Sequence, residues 1–213
     1  MRIKVCGITQ QDQLQALYAA GADFAGMVFY PRSPRYALRH MTTSQIRKEN
    51  QVNKVGVFVN AAVDEVLQLV DECRLHMVQL HGDESPRYCE KIADHVSVIK
   101  AFRFSESDNI GWRLQEYQEV CDMYMIDTEG AGYGGTDKKF NRERLTGIET
   151  GKPYFLAGRI SSEEAPALKE FAARPGNRAL FAVDINTQFE ILPGIKNMPE
   201  VKRFIKSIKE TAI

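Results

Sequence analysis

Arg2-Ile3-Lys4-Val5-Cys6-Gly7-Ile8-Thr9 is a short apolar run that closes on a thiol and is broken at once by a glycine. Such a run reads as a strand, with Cys6 at its C-terminal rim and Lys4, two positions back, on the same side. The next stretch has helical spacing: Leu14, Leu17 and Tyr18 share one face, and Gly21 is placed as the stop. The fold depends on whether this strand–helix unit repeats. After Ile3–Cys6, strand-like runs recur at Phe24–Phe29, Lys54–Val59, Met77–Leu80, Val96–Phe102, Met123–Asp127, Tyr154–Ala157 and Leu180–Asp184. Several are rich in Val, Ile and Phe without clean alternation, as strands buried on both faces are.

Helical signals lie between them. Val63, Val66, Leu67 and Val70 repeat at helical spacing, and Ser85-Pro86 opens a helix with proline in its first turn. Ser161 and Glu164 have the spacing of a capping box, and Asn197 with Glu200 makes a similar start before Val201, Phe204, Ile205 and Ile208. Ser105–Asn109 is a polar loop leading into a cap, and the glycine-rich Thr128–Asn141 is the longest irregular stretch. Eight units in 213 residues leave about 26 residues for each, which predicts an α/β fold: a single-domain (β/α)₈ TIM barrel over residues 1–213. The alternative is an open doubly wound sheet.

Composition narrows the function classes. Lys+Arg and Asp+Glu are equal at 28, so bulk charge points to no nucleic acid and no membrane partner. No apolar run is long enough to span a bilayer, and the charged N-terminus does not resemble a signal peptide. Cys6, Cys73, Cys89 and Cys121 form no C-x-x-C pair, and the four histidines form no ligand motif. A cytoplasmic protein with reduced thiols, no metal and no cofactor is expected, as a monomer or a homodimer.

In a parallel barrel the strand ends line one pocket. Cys6 with Lys4, the Tyr30–Tyr36 loop with Arg32 and Arg35, Gln79 with His81, Asp127, and Asp184 meet there. A thiol, carboxylates, an imidazole and guanidiniums suit proton transfer on a small anionic molecule. The turns after strands seven and eight form a candidate phosphate site. Gly158 lets the backbone approach an anion, Ser161 opens a helix, Asn186 and Thr187 add donors, and Pro193-Gly194-Ile195-Lys196 frames a short extra helix.

At these residues the chain resembles the phosphoribosylanthranilate isomerases. Matching segments are Lys4–Thr9, Gly26–Pro31 with Ser33–Tyr36, Val55–Asn60, Val78–Gly82, Ile126–Thr128, Tyr133–Thr136 with Lys138 and Phe140, Leu156–Gly158 and Pro193–Lys196. The resemblance implies an Amadori rearrangement of N-(5-phosphoribosyl)anthranilate in tryptophan biosynthesis. It implies Cys6 as general base and Asp127 as general acid, with Arg35 near the anthranilate carboxylate. Gln79, His81 and Asp184 are further substrate-binding candidates, and Gly158, Arg159, Asn186 and Thr187 are phosphate-binding candidates. Lys4 either favours the Cys6 thiolate or pairs with Asp184 as core.

The chain departs from the family pattern in places. Arg159 replaces a glycine, Asp137 replaces another, Asn141-Arg142 stands for Asp-Trp, and Asn186-Thr187-Gln188 stands for a Ser/Ser/Gly run. The competing readings are another phosphosugar isomerase or epimerase on the same barrel, and a non-catalytic barrel that binds a phosphorylated ligand.

Overall fold

A computed structural model describes residues 1–104, 108–127 and 141–210. Eight parallel strands run in chain order around a closed barrel. They are β1 (Arg2–Val5), β2 (Phe24–Val28), β3 (Asn53–Phe58), β4 (Met77–Leu80), β5 (Ser97–Arg103), β6 (Met123–Asp127), β7 (Tyr154–Ala157) and β8 (Leu180–Ile185). β1 closes the barrel on β8, with Lys4 in register with Asp184 and Val5 with Ile185. An open sheet is thereby excluded.

The barrel interior is filled from below by Phe24, Val55, Met77, Ile99, Met125, Phe155 and Ala182. A second apolar layer lies between the strands and the helices, with Ile3, Val5, Val78, Val98, Tyr124 and Val183 on the strand side. Strands packed on both faces have no polar alternation to show.

The helices are α1 (Gln11–Ala20), α2 (Thr43–Lys48), α3 (Val63–Cys73), α4 (Pro86–Ala93), α5 (Ile110–Gln115), α6 (Ala165–Ala173) and α7 (Met198–Lys209). Their ends obey the capping chemistry. Gly21 stands at φ +86° and returns its N–H to the α1 carbonyls of Leu17 and Tyr18. Ser85 accepts from Tyr88 N, and Asn109 from Trp112 N. Asn197 Oδ1 accepts from Glu200 N, and Glu200 answers by accepting from Asn197 Nδ2.

Three local expectations are corrected. Tyr18 is 54% exposed, whereas Leu14 and Leu17 are buried; the third inward residue of α1 is Gln13, which trades hydrogen bonds with the Lys196 backbone. Ser161 opens a 3₁₀ turn (Ser162–Glu164) before α6 begins. Pro193-Gly194 makes no helix. It turns a hairpin between β9 (Glu190–Leu192) and β10 (Ile195–Lys196), with Gly194 at φ +86°, a conformation glycine adopts at no steric cost. The short helical turn lies just upstream, at Thr187–Phe189. Thr128–Phe140, with Asp137 and Lys138, falls outside the described residues.

Candidate active site

A cavity of about 220 Å³ opens at the C-terminal ends of the strands. Cys6, Arg35, Gln79, His81, Asp127, Gly158, Arg159, Asp184, Asn186 and Thr187 all line it, together with Tyr30 and Ser33. The strand-end residues singled out from the sequence therefore share one space, except Lys4, which lies buried outside the lining, and Arg32, which is exposed and not part of it.

Cys6 comes directly after β1. Its N–H donates to Ile185 O at 2.9 Å, which fixes the thiol at the β1–β8 seam, 5% exposed. Beneath it Lys4 is fully buried and donates to Asp184 Oδ1 at 3.0 Å. Both side chains lean over Gly26 of β2. A Cβ there would stand 2.9 Å from Cys6 Sγ and 3.1 Å from Lys4 Nζ, so the glycine makes the space in which the two converge. Burial works against the Lys4 ammonium, but Asp184 and then Cys6 outweigh it and hold Lys4 above its ordinary value. Burial pushes the Cys6 thiol up; Lys4 opposes that rise, Asp184 adds to it, and Lys196 opposes it again.

Arg35 arrives on the loop after β2 and is held by a residue the sequence did not single out. Its Nε donates to Glu190 Oε1 at 2.9 Å and its Nη2 to Glu190 Oε2 at 2.6 Å, a two-pronged grip. Glu190 also accepts from Lys196 Nζ at 2.8 Å and from Gly194 N at 2.9 Å. Burial alone would raise the Glu190 carboxyl, yet Arg35, Lys196 and Gly194 carry it below its ordinary range. Lys196 in turn donates to Asn186 Oδ1 at 2.7 Å. Gly7, at φ +77°, clears the way for this cluster, since a Cβ there would lie 2.7 Å from Asn186 Oδ1 and 2.8 Å from Arg35 Cδ. Lys196 ends the Pro193–Lys196 segment, but no local pattern ties it or Glu190 to Arg35, 155 positions away from Glu190.

On the far side Gln79 and His81, two apart on and just after β4, face the cavity. Gln79 Nε2 and His81 Nδ1 are 2.8 Å apart. With the amide donating, the imidazole proton rests on Nε2, which lies 3.6 Å from Asp127 Oδ2 at the end of β6. Gln79 Oε1 is buried without a partner among the described residues.

At the end of β7 the chain takes two left-handed residues in succession, Gly158 at φ +105° and Arg159 at φ +41°. The second is a position that favours glycine, and here it carries a guanidinium. Glu164 braces the adjoining turn: Oε2 accepts from Ser161 N at 3.1 Å, and Oε1 from Arg142 Nη2 at 2.5 Å. Among the described residues no helix is long and apolar enough to cross a membrane.

Comparison with known proteins bears on this site as a whole. The family model described as N-(5'phosphoribosyl)anthranilate (PRA) isomerase matches residues 3–207. An N-(5'-phosphoribosyl)anthranilate isomerase of Parabacteroides distasonis is 34% identical, the match covering 100% of this chain and 96% of the relative. One from Myxococcus xanthus is 36% identical over 98% of this chain and 96% of its own length. The phosphoribosyl anthranilate isomerase structure from Thermotoga maritima superposes with a TM-score of 0.82 at 33% identity, covering 98% of each chain. A further isomerase, solved with reduced 1-(o-carboxyphenylamino)-1-deoxyribulose 5-phosphate, superposes with a TM-score of 0.76 at 30% identity, again over 98% of each chain. A match that runs the length of the barrel and takes in every strand end of the cavity leaves one family: the chain is a member of the N-(5'-phosphoribosyl)anthranilate isomerases.

Proposed function

We propose that this chain isomerises N-(5-phosphoribosyl)anthranilate to 1-(2-carboxyphenylamino)-1-deoxyribulose 5-phosphate, with residues 1–213 acting as one catalytic domain. The reaction moves protons and breaks one ring bond, so an acid and a base on opposite sides of the substrate are what it needs. Asp127 gives its proton to the furanose ring oxygen. The C1–O bond breaks while the anthranilate nitrogen lone pair forms the Schiff base. Cys6, as thiolate, then removes the proton from C2, and the electron pair left behind neutralises the iminium as an enolamine. Tautomerisation moves the C2 hydroxyl proton to C1 and leaves the ketone.

The remaining residues bind. Arg35, gripped on one edge by Glu190, takes the anthranilate carboxylate. Gly158, Arg159, Asn186 and Thr187 take the phosphate. Gln79, His81 and Asp184 meet the sugar, where the unpartnered Gln79 Oε1 is an acceptor for a hydroxyl. The relative solved with the reduced ligand supports a substrate that carries both anions. No cofactor takes part, and the enzyme works in the cytoplasm as a monomer or a homodimer.

The observation that carries the assignment is the shared cavity of Cys6 and Asp127, at the ends of strands one and six of a closed barrel. The test is the loss of substrate fluorescence on turnover. Cys6→Ala and Asp127→Ala should each lose about 10²- to 10⁴-fold in kcat while circular dichroism stays unchanged. Wild-type turnover in both variants would overturn the assignment.

A further inference from the structure

Two cations and one anion surround the Cys6 sulfur at close quarters, and none of the three gives or takes a proton in the isomerisation. Lys4 comes from its own strand, Asp184 from β8 and Lys196 from β10. Arg35 approaches over Gly7 from the β2 loop, and His81 and Asp127 face Cys6 across the cavity. Lys4 is the best placed of them. It is fully buried, it is fixed by a 3.0 Å ion pair, and it converges with the thiol over the gap left by Gly26.

We propose that Lys4 is a positioning residue for catalysis: locked by Asp184 above Gly26, its ammonium favours ionisation of the Cys6 sulfur where it faces the cavity, and Asp184 sets the limit of that effect. The inference rests on Cys6 being the general base. Several observations support it. Burial pushes up all four thiols, Cys73, Cys89 and Cys121 to about 11, 11 and 12, and at each a lysine works against it: Lys54, Lys100 and Lys152 there, Lys4 at Cys6. Lys4 is the largest influence opposing burial at Cys6, and Asp184 works the other way. An ammonium free to choose its partner would settle wholly on the carboxylate. The seat above Gly26 makes it serve both.

The consequence is a pair of opposed shifts, which loosening of the fold alone would not produce. The reporter is the pH dependence of Cys6 alkylation by iodoacetamide, measured on the Cys6 peptide by mass spectrometry, because the thiolate is the reacting species. Rates are taken as a fraction of each variant's high-pH plateau, so that access cancels. Lys4→Met should lower this fraction about tenfold near pH 7, the effect of one pKa unit. Asp184→Asn, which leaves the cation and removes the anion, should raise it. The acid limb of kcat/KM should move in the same opposed directions.

If Lys4→Met does not fold, Asp184→Asn alone decides: a fraction that is unchanged or lowered overturns the proposal. Shifts in the same direction for the two variants also overturn it. Full isomerase activity in Cys6→Ala with the opposed shifts intact would instead remove the general-base reading and leave the electrostatic effect of Lys4 on the thiol standing.

Discussion

The barrel rim carries two buried lysine–carboxylate pairs of the same length. Lys4 meets Asp184 at 3.0 Å and Lys100 meets Glu84 at 3.0 Å, with all four side chains nearly or wholly out of solvent. Their surroundings differ. Lys100 also donates to Gly82 O at 2.8 Å and Leu80 O at 3.3 Å. Glu84 accepts from Asn60 N at 2.8 Å and from Gly82 N at 2.9 Å. Every strong donor and acceptor of that pair is used to tie the loop after β4 to β3 and β5. Beside its ion pair, the Lys4 ammonium shares the space over Gly26 with a thiol that opens on a cavity. A buried ion pair is weak evidence of stabilisation in itself. What the spare donor touches separates a fastening from a working part.

The sharpest way to break the comparison is to cut the fastening. Glu84→Ala leaves the Lys100 ammonium buried and strips the acceptor from two backbone N–H groups, so it should cost about 3–5 kcal/mol in denaturant unfolding. At temperatures where the variant is still folded, kcat should stay within about threefold of wild type, because no group at the cavity changes charge. A large loss of kcat with little loss of stability would reverse the roles assigned to the two pairs.

Gly26→Ala attacks the working pair without touching its charges. Its Cβ would stand 2.9 Å from Cys6 Sγ, closer than real contacts allow, so the thiol or the ammonium must move. Displacing a reacting group by part of an ångström costs up to about a hundredfold in rate. We expect a loss of about 10- to 100-fold in kcat with a melting temperature within a few degrees of wild type. Unchanged turnover would mean that the placement of Cys6 over β2 does not matter.

The chain announced its barrel more openly than its charge network. β4, β6 and β7 begin and end where their apolar runs do. β1 and β3 begin and end one residue earlier, because Cys6 and Val59 prolong an apolar run that the hydrogen-bonded ladder has already left. Cys6 and Asp127 were visible because a strand end is a position that sequence periodicity locates. Glu190 and Lys196 were not, because their meaning comes from Arg35 and Asn186, brought to them by a hairpin that looked like a helix start. Nothing in Phe24-Ala25-Gly26-Met27-Val28 says that the missing side chain at Gly26 serves its neighbours on β1.

A smaller effect concerns Glu190, the anionic hub of the second cluster. Its folded value lies below its ordinary 4.5 because Arg35, Lys196 and Gly194 N outweigh burial. A carboxyl depressed in the folded state binds fewer protons there than when unfolded. Its stabilisation is therefore complete above the unfolded value and is lost as pH falls through the folded one. Glu190→Gln should be less stable than wild type at neutral pH, and the difference should shrink as pH falls below about 4.5. A difference that stays constant into acid would show that Glu190 contributes by shape and not by charge. The variant should also raise KM, since Arg35 loses the charge and one prong of the carboxylate that holds its guanidinium in plane.

The least costly change is the most informative about the phosphate end. Arg159 occupies φ +41°, where a side chain with a Cβ costs about 1–2 kcal/mol relative to the right-handed form. Glycine would remove that strain, but it would give the unfolded chain about 0.4–1 kcal/mol of extra freedom. Arg159→Gly should therefore leave stability within about 1 kcal/mol of wild type, on the stabilising side. Arg159 lines the cavity beside Gly158, so a charge-assisted grip of its guanidinium on the phosphate would be lost and KM should rise while kcat changes little. At Lys4 and Glu84 stability and function fall on different residues. At Arg159 they would meet in one side chain, with local strain kept for the sake of binding. If KM does not move, the arginine bears its strained backbone for no gain at the phosphate, and the Gly158–Arg159 turn binds through its amides alone.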